Sequence, residues 1–200
     1  MQKYLFNWKT FIILLILLPT LTVLGSNMVS TTMKVGGDSM LPTYTAGEQL
    51  TSYHLAYRLT LPGTNRTLVR WDFPKRGELI TLRSPRRPDV IVLKRVIGLP
   101  GDEIFIRDGI VHLNGQPIPQ IAEGEGIIRE TLDGITYRTL SSGLSVEDKG
   151  LESVYPDWSQ KNPHRIGTET VFVLGDHRNQ SIDSRIWGNV PFELVTGRVK

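Results

Sequence analysis

Tight-turn signals between short β-branched segments constrain the fold of this chain more than any other feature. Asp108-Gly109, Asn114-Gly115 and Asp133-Gly134 each follow a run rich in Ile, Val, Phe or Thr. Asp-Gly and Asn-Gly are both favoured where the two central residues of a hairpin turn take positive φ. Each of the three turns therefore predicts an antiparallel hairpin. The predicted strands are 90–97, 103–107, 110–113, 127–132, 135–140, 170–174 and 194–199. Because no amphipathic helix of ordinary length stands out after residue 29, we expect a mostly β, antiparallel domain.

An uncharged, largely apolar segment over residues 10–29 precedes this β region. Twenty helical residues at about 1.5 Å each cover a hydrocarbon core of ~30 Å. Lys3 and Lys9 precede the segment and no acidic residue does, so the positive-inside rule keeps residues 1–9 in the cytoplasm. We therefore predict one N-terminal transmembrane helix in the cytoplasmic membrane, with residues 30–200 on its outer side.

The same segment also fits a cleaved signal peptide, which has a basic start, an apolar centre and small residues near its cleavage site. Gly25 and Ser26 supply small residues, but no clean Ala-x-Ala site follows. On that ground we favour a retained anchor.

Two regions are less regular. Residues 53–61 fit a short helix or a strand equally well. Residues 141–167 are rich in Ser, Gly, Asp and Asn and contain Pro156 and Pro163, so they predict a long loop. We assign this loop to an insertion at the rim of the domain, over about residues 103–168.

Composition excludes several kinds of site. The chain has no cysteine, and its four histidines are dispersed without a His-Glu-x-x-His helix. We therefore expect no thiol nucleophile, no disulfide, no catalytic metal and no cofactor. The net charge is only +3 and the basic residues are scattered, which argues against nucleic acid as a partner. The densest basic cluster, residues 83–87, is typical of a solvated loop.

Ser39 and Lys94 are the candidate reacting groups. Ser39 follows Gly36 and Gly37 closely, and these glycines let the main chain bring the serine and its N–H against a substrate carbonyl. A serine needs a base, and a lysine serves only when desolvation lowers its pKa towards neutrality. In a strand, Lys94 shares a face with the valines two residues before and after it, where an ammonium ion is costly. The alternative is that Lys94 reaches solvent from an edge strand and pairs with a carboxylate.

Residues 175–185 supply a second hydroxyl, Ser181, and an Asp183/Arg185 pair that we expect to shape the loop carrying this serine. His177 lies near Ser181 in the sequence but has no obvious orienting partner, and it is the second candidate for the base. Together these segments predict a membrane-anchored hydrolase that uses a Ser–Lys dyad.

After the anchor, four motifs occur in an order that closely resembles the type I signal peptidase (leader peptidase) family. They are Gly37-Asp38-Ser39-Met40-Leu41-Pro42-Thr43, Arg76-Gly77-Glu78-Leu79-Ile80, Lys94-Arg95-Val96-Ile97-Gly98-Leu99-Pro100-Gly101-Asp102, and Gly175-Asp176 through Ser181, Asp183, Ser184, Arg185, Trp187 and Gly188. The resemblance extends from the anchor to about Pro191.

The resemblance implies an antiparallel β catalytic domain against the outer leaflet, and an endopeptidase that removes signal peptides from exported precursor proteins. Ser39 would be the nucleophile, with its backbone N–H as the oxyanion donor, and Lys94 the general base. Ser181 would hydrogen-bond and orient the lysine, with support from Asp183 and Arg185. The pockets for small substrate residues at positions −1 and −3 would be lined by Val35, Met40, Val92 and Leu93. The implied partners are signal peptides and membrane lipid.

Three positions depart from the family pattern. Gly37 stands where some members carry an oxyanion-hole hydroxyl, and His177 and Asn179 stand where a carboxamide and an acidic residue are frequent. These departures leave room for a processing peptidase dedicated to one client, such as a pilin or a conjugation component.

A non-catalytic membrane-tethered binding domain is disfavoured by the intact Ser39, Lys94 and Ser181. A self-cleaving repressor is disfavoured by the anchor and by the lack of a DNA-binding helix pair ahead of the β domain.

Overall fold

The computed structural model describes residues 29–61, 66–141 and 161–200, which form a mostly β, antiparallel architecture. The strands are β1 Ser30–Lys34, β2 Gln49–Tyr53, β3 Arg58–Thr60, β4 Thr67–Arg70, β5 Leu79–Arg83, β6 Ile91–Gly98, β7 Glu103–Arg107, β8 Ile110–Leu113, β9 Gln116–Pro117, β10 Gln120–Gly124, β11 Ile127–Leu132, β12 Ile135–Leu140, β13 His164–Arg165, β14 Thr170–Leu174, β15 Val190–Pro191 and β16 Val195–Val199. The helices are α1 (Ser184–Trp187) and short 3-10 helices at His54–Ala56, Arg178–Gln180 and Phe192–Leu194. The architecture confirms the mostly β prediction.

Within these ranges, no helix has the length and apolar character needed to span a membrane. Apart from Val29, the predicted anchor lies outside the described residues. The same holds for residues 142–160, which make up most of the predicted polar loop.

The central sheet has seven strands in the order β1-β2-β16-β5-β6-β14-β15. Strand β6 lies between two neighbours and is buried from Leu93 to its end, which explains its nearly continuous apolar sequence. Leu174, the last residue of β14, pairs with Arg95 of β6. The loop that starts at Gly175 therefore begins beside Lys94 and Arg95.

The central sheet curls, because segments that follow two distant strands meet. Strand β1 is an edge strand and lies five places from β14 in the sheet. The main-chain N–H of His177, after β14, nevertheless donates to the carbonyl of Ser39, after β1, at 3.0 Å. The register shifts between Phe172 and Val173 and again near Gly197, and such bulges bend a strand. The curl brings the first and last sequence motifs together.

The predicted hairpins are confirmed, with the predicted strand bounds on both sides of Asp108-Gly109 and Asp133-Gly134. In all three predicted turns both central residues have positive φ, for example 52° at Asp108 and 74° at Gly109. A further turn of this kind at Glu125-Gly126 joins β10 to β11. The sequence does not predict this turn, because glutamate is not among the residues favoured at that position.

Four sequence assignments need correction. The strand predicted over 90–97 is shifted by one residue and spans Ile91–Gly98. Residues 53–61 are neither one helix nor one strand, because the end of β2, a 3-10 helix and β3 follow one another there. The strand predicted over 194–199 begins one residue later, after the 3-10 helix Phe192–Leu194. The segment 141–167 is not a loop throughout, since β13 pairs with β7 through His164 and Ile104.

Two smaller sheets pack against one side of the central sheet. One has the order β13-β7-β8-β9 and the other β10-β11-β12. A buried apolar cluster joins them to the central sheet and consists of Ile97, Ile104, Val111, Ile118, Leu132, Tyr137, Ile166, Phe172 and Leu174. A separate cluster lies beneath the turn after β1 and consists of Val35, Met40, Leu50, Leu93 and Val199.

Candidate active site

Ser39 lies on the turn between β1 and β2 and is half-buried. Val35 before it and Met40 after it are both buried in the cluster beneath the turn, so apolar packing fixes the turn on each side. A Cβ added at Gly36 or Gly37 would meet nothing within 4 Å. The turn is therefore open on the side of these two glycines.

Lys94 lies directly against the serine. Its Nζ is 2.9 Å from Ser39 Oγ, and the residue is only 3% exposed. Burial lowers the pKa of Lys94 to about 8, although the nearby Asp183 and Asp176 act to raise it. A lysine with this pKa is neutral in a substantial fraction of molecules near pH 8, and only the neutral amine can accept a proton from the serine.

Ser181 packs against the serine turn through Gly175. A Cβ at Gly175 would lie 2.2 Å from Ser181 Oγ and 2.6 Å from the Ser39 carbonyl oxygen, so only glycine permits this close approach. Ser181 is buried, but its Oγ has no hydrogen-bond partner among the described residues. The hydrogen bond expected between Ser181 and Lys94 is therefore not formed in this structure.

Asp183 and Arg185 form a fully buried ion pair at the start of α1. Arg185 Nε and Nη2 lie 2.8 Å from the two Asp183 carboxylate oxygens, and the same carboxylate accepts the Gly175 N–H at 2.9 Å. Burial acts to raise the pKa of Asp183, but the Arg185 charge and these hydrogen bonds outweigh it and hold the pKa below its ordinary value. The pair thus ties both ends of the loop that carries Ser181.

A second buried ion pair joins the lysine strand to the same loop. Arg95 Nε and Nη2 donate to the Asp176 carboxylate at 2.8 and 2.6 Å, and Thr43 Oγ1 donates to it at 2.5 Å. Arg95 Nη1 also donates to the Gly77 carbonyl at 2.7 Å. These residues lie in all four sequence motifs, so one network holds the motifs in register.

A third buried ion pair connects a smaller sheet to the site. Arg178 Nη1 and Nη2 donate to the Glu130 carboxylate on β11 at 2.7 and 2.6 Å. The sequence analysis assigned no role to Glu130, Arg178, Arg95 or Asp176. The available signal was a charged residue among the apolar residues of β6 and β11, namely Arg95 and Glu130, since a charged residue that is buried needs a partner.

The predicted pocket residues fall into two groups. Val35, Met40 and Leu93 share the cluster beneath the turn, whereas Val92 packs against the opposite cluster that contains Val96. Neighbouring strand residues point to opposite faces. Val92 and Leu93 therefore face opposite sides of β6.

The chain is similar to known proteins of one family. The family model described as "Signal peptidase, peptidase S26" matches residues 5–200. A protein named Signal peptidase I from Pseudomonas aeruginosa is 28% identical over 171 residues, which cover 81% of this chain and 57% of that protein. A Signal peptidase I from Rickettsia typhi is 34% identical over 137 residues, which cover 64% of this chain and 51% of that protein.

This chain thus spans about half the length of these relatives. A crystal structure of a signal peptidase I from Enterococcus faecalis V583 is 26% identical, with 64% of this chain and 98% of that chain covered and a TM-score of 0.41. Because the family model matches almost the whole sequence, as the ordered motifs indicated, this chain belongs to the signal peptidase, peptidase S26, family.

Proposed function

We propose that this chain is a membrane-bound serine endopeptidase that removes signal peptides from exported precursor proteins. The observation that carries the proposal is the buried amine of Lys94 at 2.9 Å from Ser39 Oγ. The pKa of this lysine is lowered to about 8, which suits a general base near neutral pH. The proposed substrate rests on the family and on relatives that carry the name Signal peptidase I.

In the proposed reaction, neutral Lys94 removes the proton from Ser39 Oγ as the oxygen attacks the scissile carbonyl. The Ser39 backbone N–H donates to the oxyanion of the tetrahedral intermediate. The protonated lysine then gives its proton to the leaving amine, and an acyl-enzyme remains on Ser39. A water molecule, deprotonated by Lys94, then attacks the acyl carbonyl; the bond to Ser39 Oγ breaks, and protonated Lys94 returns the proton to Oγ.

The supporting residues act on the position and charge of Lys94. In the proposal, Asp183 and Arg185 fix the loop of Ser181, whose hydroxyl turns to hydrogen-bond the lysine when substrate occupies the site. The Asp183 charge favours the ammonium form, so it also stabilises the cation that forms during attack. Burial outweighs this effect and keeps the lysine pKa low, and the charge of Arg185, which pairs with Asp183, also acts to lower it.

The proposed topology follows the sequence pattern. Residues 10–29 anchor the chain in the cytoplasmic membrane, residues 1–9 face the cytoplasm, and residues 30–200 form the outer catalytic domain beside membrane lipid. The rim insertion covers about residues 103–168, whose strands form sheets of their own. Added protease should therefore reach the catalytic domain in spheroplasts, and complete protection would refute this topology.

Small side chains at substrate positions −1 and −3 would contact the apolar cluster beneath the turn. Val35 and Leu93 are 8% exposed there and Met40 is fully buried, so little room remains for large side chains. Val92, which we proposed from the family pattern, would contribute from the other face of β6.

The full chain in detergent provides the test. We expect it to cut an exported precursor after a small residue. Ser39→Ala and Lys94→Ala should each abolish the cut while the fold is retained, and the double variant should be little worse than either single one. Lys94→Arg should also be inactive, because a guanidinium stays protonated. Near-normal cleavage by Lys94→Ala would refute the dyad.

A further inference from the structure

His177 hydrogen-bonds the turn that carries Ser39 through both its ring and its main chain. Its main-chain N–H donates to the Ser39 carbonyl at 3.0 Å, and ring Nδ1 lies 3.2 Å from the Asp38 carbonyl oxygen. A carbonyl oxygen only accepts, so Nδ1 carries the proton in this bond. The residue is 4% exposed. His177 therefore holds the peptide groups on both sides of the Ser39 Cα.

The Asp38 carbonyl belongs to the same peptide unit as the Ser39 N–H. The two groups of a planar trans peptide point in opposite directions, so a donor that fixes the carbonyl also fixes the direction of the N–H. A hydrogen bond accepted by the carbonyl also polarises that N–H. The His177 ring thus acts on the group that would stabilise the oxyanion.

Buried ion pairs hold the backbone on both sides of His177. Asp176 pairs with Arg95, and Arg178 pairs with Glu130. The imidazole therefore projects from a backbone that is fixed before and after it, as precise positioning of another group requires.

The other ring nitrogen does not contact the reacting hydroxyl. His177 Nε2 is buried and has no hydrogen-bond partner in the described ranges. Ser39 Oγ is instead bonded to Lys94 Nζ at 2.9 Å. The geometry therefore supports a positioning role for His177 and not the role of base.

We propose that His177 is a positioning residue for the oxyanion hole: its Nδ1–H holds the Asp38 carbonyl so that the Ser39 N–H faces the developing oxyanion. This role rests on the proposed peptidase function and adds a side chain outside the Ser–Lys dyad. It matters in this chain because Gly37 offers no side-chain donor. Loss of one oxyanion donor lowers kcat about 10²–10³-fold. A misoriented Ser39 N–H should therefore lower kcat by no more than this.

Two variants whose side chains have the same number of heavy atoms distinguish loss of the hydrogen-bond donor from loss of the ring. His177→Asn keeps a donor on the atom bonded to Cγ, and His177→Leu places a methyl group there. In the full chain in detergent, His177→Leu should lower kcat about 10- to 100-fold and change KM less than about threefold. His177→Asn should stay within about threefold of the wild type in kcat, because it restores the donor. The acid limb of kcat/KM should be unchanged in both, because Lys94 sets it.

A second measurement does not depend on activity. The dipeptide Asp-Ser occurs at 38–39 and at 183–184, so carbonyl-13C aspartate and 15N serine give two correlations in an NMR spectrum. The 38–39 signal should move in His177→Leu and return towards its wild-type position in His177→Asn. The 183–184 signal is the internal control and should stay in place.

Several results would overturn the proposal. Wild-type kcat in His177→Leu would do so, as would equal losses in the two variants. A displaced acid limb would identify His177 as the base instead. Should His177→Leu fail to fold, His177→Gln replaces it, because this variant moves the donor one bond outward and should be slower than His177→Asn. If the wild-type chain leaves precursors uncut, the proposed function fails, and the 38–39 signal still decides whether His177 holds the peptide.

Discussion

Lys94 and Arg95 are adjacent basic residues on β6 that have different kinds of partner. Their exposures are nearly equal, at 3% and 4%. Arg95 makes two bonds to the Asp176 carboxylate, and its guanidinium carbon lies 4.1 Å above the Tyr137 ring. Lys94 contacts the hydroxyl of Ser39 at 2.9 Å. No described carboxylate forms an ion pair with it.

The difference separates a structural cation from the one that we propose as the general base. A guanidinium bound to a carboxylate stays charged and joins segments of the chain. A buried ammonium without such a partner is held in a costly state, and its pKa falls. Alternation along β6 points the two side chains to different faces, so neighbouring residues can have opposite electrostatic environments.

Identical substitutions at the two positions should have different effects. Lys94→Met should lower cleavage by roughly a thousandfold or more, because the base is lost, and should keep the fold. Arg95→Met leaves Asp176 buried without its cation and should cost about 3–5 kcal/mol of unfolding free energy. Precursor cleavage and urea unfolding of both variants check this. Equal stability losses in the two variants would contradict the comparison.

The stability of the protein should depend on pH through Lys94. Below pH 8 the lysine is protonated in both states, and its burial disfavours the folded state. Between about 8 and 10.5, the folded protein loses this proton while the unfolded chain retains it, so the unfolding free energy rises with pH. A depression of this size corresponds to about 3 kcal/mol.

Lys94→Met isolates this effect, because other groups also titrate at alkaline pH. The variant should be more stable than the wild type at pH 7 by up to about 3 kcal/mol, and the difference should shrink towards pH 10.5. Unfolding curves at several pH values measure it. A difference that stays constant with pH would show that burial does not shift this lysine.

The cleavage rate should also depend on the protonation state of Lys94. Below the folded pKa of about 8, kcat/KM should rise about tenfold per pH unit and then level off, because only neutral Lys94 accepts the serine proton. Initial rates between pH 6 and 9 test this. A limb near the ordinary lysine value of 10.5 would mean that the site does not desolvate the amine.

The hairpins were predictable because their signals are local. The Asp-Gly and Asn-Gly turns require positive φ at two successive residues, and the adjacent strands alternate around them. The composite segment 53–61 was not predictable from periodicity, since the end of β2 and the 3-10 helix pack with β16 and β1, whereas β3 pairs with β4. Short apolar segments fit helix and strand alike.

The proposed Ser39–Lys94 dyad and the Asp183/Arg185 pair could be inferred from the sequence, whereas the other buried ion pairs around the site could not. Ser39 and Lys94 lie in motifs that identify the family. Arg95 and Asp176 lie 81 residues apart, and Glu130 and Arg178 lie 48 apart. A sequence shows the residue types but not which distant charges meet, so these pairs required the three-dimensional fold.

The smallest expected effect is at Thr43. This residue tests whether the Asp176 carboxylate depends mainly on Arg95 or also on its other hydrogen-bond donor. Thr43 Oγ1 donates to Asp176 at 2.5 Å, but Arg95 binds both oxygens of the same carboxylate. Thr43→Val removes one donor of three at nearly constant shape, so it should cost about 1–2 kcal/mol of unfolding free energy and leave kcat within about threefold. Thr45→Val, at an exposed threonine two residues away, is the matched control and should change stability by less than about 0.5 kcal/mol. A loss from Thr43→Val as large as that from Arg95→Met would mean that the carboxylate depends on the hydroxyl as much as on the guanidinium. Arg95 would then not be the main partner of the buried Asp176.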